Sequence, residues 1–251
     1  MSDQHKPAVL VVDDEVDTCQ NLADILSDLD YAVDTASNGP AALELAQRKS
    51  YDVALLDLKM PGMDGLTLYR RLRKVRPSTV AIIVTAYASD PTTREALHAG
   101  AWQVLSKPVD LKALLPLVDE VVHQPLVLVV DDDEALCENL WELFRERNLR
   151  VAIAHTENEA LTTLEEQDYQ VVLVDLKLPG GDGRNILKVL HDRRPEVRTV
   201  MITGHPDEFS DVVQTARKHG ADAVCYKPFD LGNLLTTIER LTQRNGGGSP
   251  S

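Results

Sequence analysis

Six carboxylate positions in this chain share an unusual setting: Asp13 and Asp14 follow the apolar run Leu10–Val12, Asp57 follows Val53–Leu56, and the same pattern returns at Asp131, Asp132 and Asp175. Short β-forming runs that end abruptly in acids read as buried strands with charge at their mouths. Adjacent carboxylates raise one another's pKa unless a cation lies among them. A hard divalent ion such as Mg²⁺ suits a few carboxylates plus water and phosphoryl oxygens, so the acids read as a metal site. Thr85 and Lys107 close the later runs of the first half, as Thr203 and Lys227 do in the second. A lysine and a hydroxyl beside an all-oxygen metal site supply what phosphoryl transfer needs, charge neutralisation and positioning. A carboxylate can itself be the nucleophile, and Asp57, which ends the central run before the turn-forming Met60-Pro61-Gly62, is the expected acceptor.

These positions fall in order because the chain is one unit written twice. VALLDLKMPGMDG (Val53–Gly65) returns as VVLVDLKLPGGDG (Val171–Gly183), 118 positions on, whereas SKPVDL (from Ser106) returns as YKPFDL (from Tyr226), 120 on. Two residues therefore enter the second copy between Thr203 and Lys227. In the first copy, strands are expected near Ala8–Val12, Tyr31–Ala36, Val53–Asp57, Val80–Val84 and Trp102–Ser106, with helices between and after them. Leu22, Ile25, Leu26 and Leu29 hold the spacing of an amphipathic helix, as do Leu66, Tyr69 and Leu72. Strands alternating with helices imply a parallel sheet with right-handed crossovers, and such sheets bind ligands at their carboxyl ends. That rule carries Asp13, Asp14, Asp57, Thr85 and Lys107 to one rim.

The set Asp13, Asp14, Asp57, Thr85 and Lys107-Pro108, with LDLKMPGMDG around the third acid, resembles the receiver domain of two-component response regulators. The second copy matches at Asp131, Asp132, Asp175, Thr203 and Lys227-Pro228. The resemblance implies an α/β fold of two doubly wound, five-stranded, flavodoxin-like parallel sheets of order 2-1-3-4-5 in tandem. Receiver domain 1 would span 7–123 and receiver domain 2 124–244, before a disordered Gly/Ser tail at 245–251. It further implies one Mg²⁺ per domain, held by Asp14, Asp57 and the Lys59 backbone carbonyl, with Asp13 acting through water. The second set is Asp132, Asp175, the Lys177 carbonyl and Asp131. Asp57 and Asp175 would be the phosphoacceptors, Lys107 and Lys227 would pair with phosphoryl oxygens, and Thr85 and Thr203 would donate a hydrogen bond. The donor would be a histidine kinase or phosphotransfer protein, and the Lys-Pro bond is usually cis in the family. The surface from the fourth to the fifth helix would switch for a downstream protein. Receivers commonly carry Tyr or Phe three residues before the Lys, and here those places hold Val104 and Val224.

Composition bounds the other readings. The net charge of −14 divides into about −6 before residue 124 and −8 after it, which argues against direct nucleic-acid binding. Apolar runs are short and the start MSDQHKP has no signal-peptide pattern, so a cytoplasmic protein without membrane contact is expected. Three cysteines without a CxxC pair support neither a disulfide framework nor zinc, and Cys19 and Cys137, 118 apart, read as equivalent core residues. The run Arg70–Arg76 reads as the solvated side of a helix. The three residues His123–Pro125 form a short junction that should hold the domains in a restricted arrangement. Histidines read as surface residues, with His205 set apart because it lies two after Thr203, where Tyr87 stands in the first copy. A haloacid-dehalogenase-like phosphatase is disfavoured, because Lys59 and Lys177 occupy the place of its acid-base Asp. A phosphorylation-independent docking module, the receiver part of a longer hybrid kinase or regulator, and a homodimer stay open. Enzymatic turnover beyond self-catalysed phosphorylation and slow hydrolysis is not expected.

Overall fold

A computed structural model describes residues 6–86, 91–204 and 220–243. The chain divides into two compact units, Met1–Gln124 and Pro125–Ser251. In the first, β1 (Ala8–Val12), α1 (Val16–Asp28), β2 (Ala32–Ala36), α2 (Gly39–Arg48), β3 (Val53–Leu56), α3 (Gly65–Val75), β4 (Val80–Thr85), α4 (Pro91–His98), β5 (Gln103–Ser106) and α5 (Leu111–Val122) alternate along the chain. The strands pair in parallel in the order β2-β1-β3-β4-β5.

The second unit repeats this with β6 (Leu126–Val130), α6 (Glu134–Arg145), β7 (Arg150–Ala154), α7 (Glu157–Glu166), β8 (Val171–Asp175), β9 (Lys177–Leu178), β10 (Gly181–Asp182), α8 (Gly183–Arg193), β11 (Arg198–Thr203), β12 (Ala223–Tyr226) and α9 (Leu231–Gln243). Its main sheet runs β7-β6-β8-β11-β12, all parallel, the same 2-1-3-4-5 order. The small antiparallel pair β9 and β10 is an addition that the sequence did not announce. Each unit is therefore the doubly wound, five-stranded sheet expected from the alternation of patterns.

Central strands are apolar throughout because helices cover both faces of a parallel sheet. In the first unit Leu10, Val12, Ala54 and Leu56 point into one core with α2 and α3, whereas Val9, Val11, Val53 and Leu55 point into another with α1 and α5. Burying each such Val or Leu side chain stabilises the fold by about 1.5–3 kcal/mol. The expected helix stripes hold at Leu22, Leu26, Leu66, Tyr69 and Leu72, all buried. Ile25 is only half-buried, and Leu29 departs further: it falls at the C-cap of α1, past the last turn that faces the sheet, and stays half exposed. The basic run also departs in part from a solvated face. Arg70 and Arg71 are exposed, but Arg76 donates through Nε to the Ala46 carbonyl at 2.8 Å and Arg73 reaches the Ala99 carbonyl at 3.4 Å. Those guanidinium groups satisfy main-chain acceptors at the end of α2 and after α4.

Candidate functional site

The sheet positions the site by extending its ladders one step past each strand. Asp13 N donates to the Ala36 carbonyl at 3.2 Å, Asp57 N to the Val12 carbonyl at 2.9 Å, and Lys107 N to the Thr85 carbonyl at 2.9 Å. Backbone bonds between neighbouring strand ends thus fix the origins of three side chains drawn from distant parts of the chain. The second unit repeats them, with Asp131 N on the Ala154 carbonyl at 3.1 Å and Lys227 N on the Thr203 carbonyl at 2.8 Å. Both Lys-Pro bonds that follow are cis.

Lys107 Nζ lies 2.7 Å from Asp13 Oδ2 and 2.8 Å from Asp57 Oδ2, among side chains only 17%, 4% and 8% exposed. Lys227 Nζ does the same at 2.6 Å from Asp131 Oδ2 and 2.5 Å from Asp175 Oδ2. The far oxygens are held by the main chain: Asp13 Oδ1 accepts from Glu15 N at 3.0 Å and Asp57 Oδ1 from Lys59 N at 3.2 Å. Asp131 Oδ1 accepts from Asp133 N at 3.1 Å and Asp175 Oδ1 from Lys177 N at 3.0 Å. Asp14 and Asp132 are exposed, yet each can bring a carboxylate oxygen within 4.8 Å of its two buried neighbours.

The cation that three acids require is therefore partly supplied by the protein. One ammonium against three carboxylates leaves a local charge of about −2 in each rim. Burial pushes the Asp13 and Asp131 carboxyls above the usual range, although the lysines pull them down. Burial alone would lower the Lys107 ammonium, but its hydrogen bonds to Asp13 and Asp57 outweigh it and raise the pKa, and Lys227 behaves alike. Two buried acids and one exposed acid, all oxygen donors with residual negative charge and open to water at Asp14 or Asp132, are a fit donor set for a hard divalent cation.

Thr85 is fully buried and Thr203 nearly so, each at the last position of its strand and each bonded through its carbonyl to the lysine. Lys59 and Lys177 follow Asp57 and Asp175 by two, with their main-chain N–H groups on those carboxylates. Val104 and Val224 are half-buried against the cores and offer no ring. Tyr87 and His205 lie outside the described residues, as does the stretch 245–251.

Three features escaped the sequence reading. Gly65 and Gly183 start α3 and α8 so close to the end of the third strand of each sheet that a Cβ on either would overlap the Asp57 or Asp175 carbonyl oxygen. The doubled Asp-Gly was visible in the repeat, but only the approach of helix to strand gives it meaning. Cys19 and Cys137, buried as expected, each donate Sγ–H to the carbonyl of Asp13 or Asp131 at 3.4 Å. His155 is a correction to the view of histidines as surface residues: it is half-buried, with Nδ1 2.9 Å from the Asp131 carbonyl.

The chain is a tandem pair of doubly wound α/β modules, each with a lysine-bridged acid cluster at the carboxyl rim of its sheet. The response regulator receiver domain family matches residues 9–119 and 127–239, and the chain belongs to that family. A response regulator receiver protein of Anaeromyxobacter sp. (strain Fw109-5) is 36% identical over 239 residues, covering 94% of this chain and 96% of that protein. The transcriptional regulatory protein ZraR of Klebsiella oxytoca is 39% identical over 119 residues, which is 47% of this chain and only 27% of that regulator. Among solved structures, a CheY-like receiver domain protein of Methanospirillum hungatei is 31% identical with a TM-score of 0.46, covering 47% of this chain and 94% of that one. The family comprises regulatory phosphoacceptors of two-component systems, and no helix among the described residues is long and apolar enough to cross a membrane.

Proposed function

We propose that the chain is a two-component phosphorelay protein in which two receivers, residues 7–123 and 124–244, each accept a phosphoryl group, on Asp57 and Asp175. The observation that carries this reading is the lysine bridge: in both units an ammonium lies within 2.8 Å of an acid after the first strand and of the acid at the end of the third. In the reaction, an Asp57 carboxylate oxygen attacks phosphorus while the bond to the donor, the imidazole nitrogen of a histidine kinase or phosphotransfer protein, breaks. Lys107 is placed to turn from Asp13 toward the phosphoryl oxygens, and Lys59 N steadies Asp57 Oδ1 so that Oδ2 is the reacting oxygen. Asp175, Lys227 and Lys177 take these parts in the second unit.

Asp14, Asp57 and the Lys59 carbonyl would hold Mg²⁺, with Asp13 behind them. Asp132, Asp175, the Lys177 carbonyl and Asp131 would do so in the second domain. When bound, the ion neutralises charge on carboxylate and phosphoryl oxygens. Thr85 and Thr203 accept the lysine N–H groups on their main-chain carbonyls, and movement of their hydroxyls toward an arriving charge of about −2 would bias the segment from α4 to α5 between two packings. Val104 and Val224 hold the place of the usual ring, so a switch here would run through the threonine without an inward-turning aromatic. A downstream protein would read that surface.

Borohydride trapping tests the assignment, because it reduces an acyl phosphate to the alcohol and marks the residue that carried it. After treatment with Mg²⁺ and acetyl phosphate, peptide sequencing should place homoserine at positions 57 and 175. Homoserine at other acids, or at none, contradicts the proposal.

A further inference from the structure

The two acceptor loops are held in place by opposite chemistry. Positions 39 and 63 of the first unit correspond to 157 and 181 of the second, 118 residues on. In the first, Gly39 starts α2 and leaves room for Met63, whose Sδ would lie 2.6 Å from a Cβ built on that glycine. In the second the bulk has changed sides: Glu157 starts α7, and the room is left by Gly181, whose added Cβ would collide with Glu157 Oε2. An apolar plug reaching from loop to helix is replaced by a carboxylate reaching from helix to loop.

That carboxylate is fully used. Glu157 Oε2 accepts from Asp182 N at 2.8 Å, and Oε1 accepts from Asn185 Nδ2 at 3.3 Å. Asp182 is paired with Lys177 across the β9 and β10 hairpin, and Lys177 N is the donor on Asp175 Oδ1. The first turn of α7 is itself anchored to the rim, because Glu159 Oε2 accepts from His155 N at 2.8 Å and the His155 ring bonds the Asp131 carbonyl. The corresponding residues of the first unit, Ser37, Gly39 and Ala41, carry neither imidazole nor carboxylate.

We propose that Glu157 is a positioning residue specific to the second receiver: it braces the loop that carries Lys177, and so pre-sets Asp175 and the Lys177 carbonyl for the cation and the phosphoryl group. This rests on the acceptor reading above. The brace should make the second site bind Mg²⁺ more tightly than it would without Glu157, because less loop ordering remains to be done on binding.

The test uses full-length protein carrying Asp57→Asn, so that only the second site is read. Glu157→Gly, Gly181→Met, the two together, and Glu157→Gln are compared by hydrogen exchange of residues 177–183 and by calorimetric titration with Mg²⁺. Glu157→Gly should speed exchange about tenfold and weaken Mg²⁺ about tenfold, the loss of a charged-group hydrogen bond. Gly181→Met alone should do similar damage by collision. The double variant installs the plug of the first unit and should return both readouts to within about threefold of the parent, a strongly non-additive cycle. Glu157→Gln keeps an acceptor for Asp182 N and should also stay within about threefold. Unchanged exchange in Glu157→Gly, simple addition in the double variant, or a Glu157→Gln as weak as Glu157→Gly overturns the brace. A parent that takes up no Mg²⁺ overturns the acceptor reading instead, and exchange at 177–183 still decides the brace.

Discussion

Removing the ammonium from the first rim is the perturbation whose size the structure fixes best. Lys107→Met keeps the length and apolar stem of the side chain but leaves Asp13 and Asp57 facing each other with side-chain exposures of 4% and 8%. Taking one partner from a fully buried ion pair costs about 3–5 kcal/mol. Here the lysine side chain is 17% exposed, so water reaches the vacated position, and about 2–3 kcal/mol is the expected loss. For a domain of this size that lowers the midpoint of melting by about 8–12 °C. Trp102 reports on the first unit once Trp141 is replaced by Phe, so fluorescence melting in that background follows the affected domain alone. Mg²⁺ should close much of the gap, because an ion at about ten times the variant's dissociation constant adds roughly 1.4 kcal/mol to the variant and much less to the parent, which holds it more weakly. Acid should close it too, since the lysine normally pulls the Asp13 pKa down and its loss favours the protonated carboxyl. A midpoint within about 2 °C of the parent, or a loss that Mg²⁺ leaves untouched, would refute the reasoning that the ammonium stands in for a cation.

Alanine at Gly65 or Gly183 forces its methyl group against the carbonyl oxygen of Asp57 or Asp175, and a cost of about 2–4 kcal/mol in urea unfolding of the corresponding domain is expected. Because Asp13 and Asp131 are raised above 3.8 in the fold, the native state binds more protons than the unfolded chain just above that pH. Their contribution to stability therefore falls as pH rises from 3.8 through the folded values, and Asp13→Asn should flatten that part of the urea profile. Lys107 and Lys227 are raised above 10.5, so their stabilisation is complete below that pH and lost as alkali passes the folded values; the loss should be smaller in Lys107→Met. The Cys137 thiol is pushed up to about 12, by burial first and by Asp131 next, and Cys19 is also raised. Native protein at pH 8 should leave both unlabelled by a thiol reagent until denaturant is added, and prompt labelling would contradict their burial.

Most of the fold could be read from the chain because its signals are local. Apolar runs such as LVVDD carry strand, burial and rim in one stretch, and the repeat supplies each reading twice. That the acids, the threonines and the lysines would share one rim was legible for the same reason, since the carboxyl ends of parallel strands lie on one side of the sheet. Less legible were contacts between side chains far apart in sequence. The exchange of bulk between Gly39 and Met63 on one side and Glu157 and Gly181 on the other looks like unrelated drift until α2 and α7 are seen against their loops. The β9 and β10 pair is equally hidden, because two residues per strand carry no periodicity. Leu29 misled for a related reason: its spacing continues the α1 stripe, but the helix ends beneath it.

The central claim is that each unit holds one competent acceptor, and intact-mass spectrometry tests it most directly. Wild-type protein, Asp57→Asn, Asp175→Asn and the double variant would be incubated with Mg²⁺ and acetyl phosphate and measured before and after hydroxylamine. The account predicts two hydroxylamine-labile phosphoryl additions on the wild type, one on each single variant and none on the double variant. Additions that persist in the double variant, or a wild type that stays unmodified with Mg²⁺ bound, would contradict it.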